Sequence, residues 1–166
     1  MAENAHHQQL GKFVVLFQGL ESALVEMFGV TAGEDYAAAI LPAETRYRRL
    51  VGSTDLTFSH FVDQLRQPAL ETKARFHELM ERCLDIGVLR NRLVHSKYAL
   101  LISAGHVAAP VRGKAEPKFK GGSRRQVIGE ALSAESFEPY FQKIAEALAE
   151  LESFKLRVVE WKHPNG

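Results

Sequence analysis

The chain has 166 residues, 46% of them apolar and 25% charged, with a formal net charge of +1. This is one domain by length, able to bury a sizeable core, and its usage is that of an ordinary globular protein. The single cysteine, Cys83, excludes an internal disulfide framework and a thiolate zinc site. No stretch is expected to reach the length of a membrane span, and the near-zero charge leaves any nucleic-acid partner to a local basic patch.

Residues 1–9 lack the basic start and long apolar run of a secretory signal. With the lone thiol, this leads us to expect a cytoplasmic protein with no membrane association. A first helix is predicted from about His6 to Phe28, because Phe13, Phe17, Leu20, Leu24 and Phe28 recur at three-to-four spacing. Gly29 and Gly33 punctuate its end. In projection Glu21 lies on the apolar face, between Phe28 and Val14. A short helical piece over Asp35–Leu41 is stopped by Pro42, and Ala43–Val51 makes another turn or two carrying Arg46, Arg48 and Arg49. Gly52-Ser53-Thr54-Asp55 reads as a turn and cap cluster, followed by a short amphipathic helix over Leu56–Leu65.

A long helix is predicted from Pro68 to about Tyr98, with proline at the first position, where its missing N–H costs nothing. Phe76, Leu79, Met80, Cys83, Ile86, Leu89 and Leu93 recur with helical period. Glu78, Glu81, Asp85 and Arg92 occupy the opposite arc. Arg90 falls in the middle of the apolar arc, and Asn91 and His95 lie together near its edge, one turn apart. A guanidinium aimed at a core must be paired, because it cannot shed its charge. Glu21 is its natural partner. Removing one member of such a buried pair is expected to cost ~3–5 kcal/mol.

From Ala99 to Leu132 the helical period fails. Leu100–Ile102 and Gln126–Ile128 read as short strands, with Val107–Val111 a weaker third. The segment between them carries Arg112, Lys114, Lys118, Lys120, Arg124 and Arg125 against one acidic residue, Glu116. It is read as the basic tip of a small hairpin. The last helix, capped by Ser133 or Ser136, is expected to bury Phe137, Phe141, Ile144, Leu148, Leu151 and Val158. The fold class expected is therefore all-α: a bundle of about four to five helices, one domain over 1–166, with a β-hairpin insertion at about 99–132 before the C-terminal helix.

The run Arg90-Asn91-Arg92-Leu93-Val94-His95, followed by Ser96 at the end of a long helix, resembles the signature of the HEPN domain family. HEPN domains are small helical bundles found in prokaryotic toxins, antiviral systems and RNA-processing enzymes. The resemblance implies that Arg90 and His95 belong to a ribonuclease active site, with Asn91 as the polar residue that commonly follows the arginine. It also implies a homodimer with a composite site and an RNA substrate. An antitoxin or nucleotidyltransferase partner is a further implication.

The residue types suit that chemistry. Cleaving RNA without a metal requires a proton taken from the 2′-hydroxyl, a proton given to the departing 5′-oxygen, and stabilisation of the phosphorane charge. Histidine suits both proton steps, its unperturbed pKa of ~6.5 lying near working pH. Arginine suits the third, as a permanently charged fork matched to phosphate oxygens. Five residues apart, the two side chains project ~140° from each other on a straight helix. A twofold dimer packing the C-terminal halves of this helix together would gather both pairs into one cleft.

No glycine-rich phosphate loop, His-Glu-x-x-His, Gly-x-Ser-x-Gly or Cys-x-x-Cys is present, and no cofactor or metal is expected. His6 and His7 sit on a terminal stretch, His77 lies ~27 Å from His95 along the helix, and His60, His106 and His163 read as surface residues. In HEPN toxins paired with a nucleotidyltransferase, a tyrosine stands two residues after the histidine. Here that place is Lys97, with Tyr98 one later, which departs from the nucleotidylation scheme and leaves Tyr98 a packing role beside the site. The alternative function is a non-catalytic HEPN-type bundle that binds a partner protein or a nucleotide.

Overall fold

A computed structural model describes residues 2–33, 47–65, 67, 69–94, 97–103, 106–113, 129–131 and 137–164; at 2–7, at 94 and in the strands it describes the backbone alone. Four helices are present among these residues: α1 (Ala2–Ala32), α2 (Tyr47–Asp63), α3 (Leu70–Val94) and α4 (Glu138–Lys162). Three strands, β1 (Lys97–Ser103), β2 (His106–Gly113) and β3 (Gly129–Ala131), lie between α3 and α4. The expected short helix over Asp35–Leu41 and the caps Ser133 and Ser136 lie outside the described residues, as does Gln126–Ile128.

α1 packs against α2 and α4, and α3 against the same two. The core forms where their apolar stripes converge. From α1 come Phe13, Phe17, Leu20, Leu24, Met27 and Phe28; from α3 come Phe76, Leu79, Met80, Cys83, Ile86 and Leu93. Phe58 of α2 stacks on Phe76 at 3.8 Å between ring centroids, and Phe154 of α4 meets both rings edge-on at 5.6 and 5.1 Å. Such aromatic geometry adds to area burial. α1 ends at Gly33, whose φ of +88° places it in the left-handed region and whose N–H donates back to Gly29 O. That is the ordinary helix stop where a Cβ would be strained.

The sequence expectation of a turn at 52–55 is corrected: these residues lie inside the continuous helix α2. Thr54 is fully buried and donates to Leu50 O at 2.9 Å, within its own helix and against α1. Thr57 approaches Thr31 of α1 at 3.0 Å between hydroxyls. Leu50, Val51, Phe58 and Val62 form one apolar stripe through the supposed break, so burial outweighs the weak helix propensity of Gly52 and Ser53.

A second correction concerns α3, which ends at Val94 rather than near Tyr98. Tyr98 is instead in β1, where it pairs with Arg112 of β2 in an antiparallel ladder. The run from Tyr98 to Ile102 favours a pleated, paired surface over another helical turn. The sheet order is β1-β2-β3, and β2 lies against α1.

One expectation about membranes also changes. Over Gln8–Ala32, α1 is long and apolar enough to cross a membrane by length and composition, with mean hydropathy 1.6. A third of that stretch is buried here, as the α1 side of the core.

Candidate functional site

The C-terminal half of α3 is where the packing opens. Gly87 allows a close approach: a Cβ there would stand 2.6 Å from Cε1 of Tyr47, the first residue of α2. The Tyr47 ring lies 4.7 Å from Phe17, and its hydroxyl donates to Cys83 O at 2.9 Å. Burial, first, raises the Tyr47 pKa far above the ordinary value; burial also pushes the Cys83 thiol up to about 12. Neither group ionises near neutral pH. They are structural props.

Around that contact runs a cleft of about 640 Å³ whose walls come from α1, α2 and α3. Phe17, Glu21, Tyr47, Arg48, Asp85, Arg90 and Asn91 line it. Arg90 is half-buried. Its guanidinium donates to Asn91 Oδ1 at 3.1 Å and lies 5.6 Å over the Phe17 ring. A planar cation on an aromatic face is oriented without being neutralised.

The expected bond between Arg90 and Glu21 is not present; the two line the same cleft without an ion pair. Glu21 is half-buried, and desolvation raises its pKa, with the positive charge of Arg90 opposing that rise. The physical reason is placement: Phe17, one turn earlier on α1, takes the guanidinium, so the carboxylate feels Arg90 only across space. Arg90 is therefore at the rim of the core, where it keeps part of its hydration and the full cost of charge burial is avoided.

Of the site residues expected from sequence, the structure brings together Arg90, Asn91 and Glu21. His95, Lys114, Lys118, Lys120, Arg124 and Arg125 lie outside the described residues. Tyr98 and Arg112 are placed by backbone alone, directly opposite each other across the β1–β2 ladder. Tyr47, Phe17, Asp85 and the cleft-lining role of Arg48 were missed. A glycine in the middle of an otherwise strong helical pattern costs about 1 kcal/mol and so marks a close approach, which is the signal Gly87 offered.

A second polar cluster joins α2 to α3 further up the bundle. His77 Nδ1 and Asp55 Oδ2 are 2.7 Å apart, with Glu81 at 3.7 Å from Nε2. The hydrogen bond to Asp55 raises the His77 pKa. This ring is about 20 Å along α3 from Arg90 and takes no part in the cleft. Among the described residues, no three His, Cys, Asp or Glu side chains converge as a metal-ligand group.

Comparison of the chain with family models, with curated proteins and with solved structures finds no match.

Proposed function

We propose that the chain is a metal-independent endoribonuclease of the HEPN type. It has a HEPN-like bundle and acts as a homodimer on single-stranded RNA within a toxin or defence system. The observation that carries this reading is the presentation of Arg90. It stands at the rim of a cleft, is oriented by Phe17 and Asn91, and among the described residues is not tied to a carboxylate. An arginine held this way has donors to spare for phosphate oxygens, and Arg48 lines the same cleft. α3 ends at Val94, so the residue assigned the proton transfers, His95, follows directly on the helix that carries Arg90. In the proposed reaction His95 takes the 2′-hydroxyl proton and a second histidine, from the partner, protonates the leaving 5′-oxygen. Arg90 steadies the phosphorane. Arg112 and the basic residues after it hold the RNA backbone. An antitoxin or nucleotidyltransferase is the partner this reading implies, although Lys97 stands where the nucleotidylated tyrosine of that scheme would be.

The test is cleavage of single-stranded RNA with chelator present, read by product ends. The expected product is a 2′,3′-cyclic phosphate, and His95→Ala should lower the rate by ~10²–10⁴-fold with the helical signal intact. Neutralising Arg112, Lys114, Lys118, Lys120, Arg124 and Arg125 should weaken binding and flatten its salt dependence. Cleavage that survives His95→Ala, or that requires added magnesium, rejects the mechanism.

The cleft also favours a second reading, the binding of a nucleotide without cleavage. Its volume falls within the usual range for small-ligand sites, and it combines aromatic rings with two arginines. Saturable nucleotide binding lost in Arg90→Ala, in a protein inert towards RNA, would select it.

A further inference from the structure

α1 presents to solvent a face that the other described elements leave largely exposed. Along it run Gly11, Val15, Gln18, Ser22, Val25 and Gly29, spaced alternately four and three residues apart. That alternation is the spacing of a coiled-coil seam, and a seam that faces water has no partner within its own subunit. Val15 is 66% exposed and Val25 47%, large values for valine on a helix whose mean hydropathy is 1.6. An added Cβ at Gly11, Gly19 or Gly29 meets nothing within 4 Å, so the face is open for close approach of another backbone.

The seam is complementary to itself when reversed. An antiparallel copy centred near Leu20 sets each Val15 against the partner's Val25, each Gln18 against the partner's Ser22, and each Gly11 against the partner's Gly29. The first layer is apolar, the second can exchange amide and hydroxyl hydrogen bonds, and the third brings the helix ends close. Beside the seam, Lys12 then meets Glu26 of the other copy, twice by symmetry. The fit is electrostatic as well as steric. Glu26 already accepts a bond from Lys155 at 3.0 Å, yet its side chain remains 61% exposed and has lone pairs to share. Lys12 lies over the Phe141 ring, 4.4 Å from its centroid, with its ammonium otherwise in solvent.

We infer that α1 is a homodimer face, pairing antiparallel with α1 of a second copy along the Gly11–Gly29 seam. The paired length is about 27 Å, which places this interface at the small end of specific contacts and implies association in the micromolar range. Glu21 is one residue from the centre, and Arg90 lies beside it across the cleft. Pairing through α1 therefore brings two Arg90 clefts to either side of the twofold axis. This puts the principal contact on α1 and not on the C-terminal half of α3, while still gathering both clefts. The interface stands without the nuclease reading; only its bearing on a shared site rests on that reading.

The experiment is a charge exchange read by sedimentation, without RNA. Wild type at tens of micromolar should be dimeric. Lys12→Glu alone and Glu26→Lys alone each place like charges together twice and should weaken dimerisation about tenfold. An equimolar mixture of the two variants restores both opposite-charge pairs in the heterodimer and should recover wild-type association. The mixture controls for any effect of either change within its own subunit, including the loss of the Lys155 contact. Gly19→Cys, whose thiols face each other across the axis, should cross-link with a short bis-maleimide faster than Glu78→Cys on the exposed side of α3. A monomeric wild type at 100 µM (a choice of about a hundred times a micromolar Kd) overturns the inference. So does dimerisation indifferent to both charge changes, or an α1 face that is protected only by lipid vesicles. A monomeric wild type would count against the composite dimer site of the nuclease reading as well, whereas a protein that still dimerises and is indifferent to both charge changes overturns the α1 seam alone and leaves the cleavage test as it stands.

Discussion

The two halves of α3 carry the same helical pattern and do opposite things with it. In the N-terminal half, Phe76 is enclosed by Phe58 and Phe154 and the stripe through Leu79, Met80 and Cys83 is dry. In the C-terminal half, the stripe continues through Ile86 and Leu93, but Gly87 and Arg90 replace large apolar side chains on its flank. The result is a cleft bounded by Tyr47 and Phe17 in place of a filled core. What separates the packed half from the open one is therefore two residues and no change of secondary structure. A glycine admits the neighbouring ring, and an arginine at the rim keeps a charge where a ligand can reach it.

That contrast can be broken most severely at Phe76. Phe76→Ala removes a ring packed against two others and should destabilise by ~3–5 kcal/mol, measured by denaturant unfolding. Binding at the Arg90 cleft should be unchanged in whatever fraction remains folded; a small loss of stability would mean the aromatic cluster is loosely packed. Gly87→Ala is the next largest. The new methyl would stand 2.6 Å from the Tyr47 ring, which cannot swing away without breaking its bond to Cys83 O. Overpacking of this kind costs ~1–3 kcal/mol, more than the ~0.5–1 kcal/mol that alanine adds as a helix former. The net effect should be a lower Tm. Gly87→Ala combined with Tyr47→Phe, which keeps the ring, should stay destabilised, whereas Gly87→Ala with Tyr47→Ala should relieve the clash at the expense of a cavity. If Gly87→Ala raises Tm, the Tyr47 contact does not hold in solution.

The halves also differed in how well the sequence disclosed them. The packed half was legible because periodicity reports burial directly: Phe76, Leu79, Met80 and Cys83 were all assigned to the apolar arc and all are buried. In the other half, periodicity placed Arg90 on the apolar arc but could not say what it met there. Projection on one helix predicted Glu21, since both residues faced inward. The choice between Glu21 and Phe17, one turn apart on α1, depends on the relative shift of two helices along their axes, which no single-helix pattern contains. Tyr47 was missed for a related reason. The glycine and serine at 52 and 53 suggested a break in α2, and a helix divided there gives no reason to place Tyr47 against α3. Thr54, buried against α1, is the residue that kept the helix whole.

Glu21 gives the smallest and most discriminating effect. If it formed a dry ion pair with Arg90, Glu21→Ala would cost ~3–5 kcal/mol and its carboxyl would titrate low. The geometry gives the reverse: desolvation comes first and raises the Glu21 pKa, with Arg90 only partly offsetting it. A carboxyl whose pKa is higher folded than unfolded binds more protons in the native state over the interval between those values. Its contribution to stability is then present below its ordinary value and is lost as pH rises through the raised one. At neutral pH the charged form is the slightly disfavoured one. Glu21→Gln, which keeps the shape and removes the charge, should therefore leave stability at pH 7 unchanged or raise it. Because the side chain is only half-buried and solvent screens it, the gain should be no more than about 0.5 kcal/mol. Relative to Glu21→Gln, wild type should gain stability as pH is lowered through the carboxylate range, seen as converging Tm values. A fall of several kcal/mol in Glu21→Gln at pH 7 would restore the ion pair and place Arg90 in the core after all. Arg90 would then give up to two of its five donors to that carboxylate and be drawn away from a phosphate, and the packed and open halves of α3 would be one continuous core.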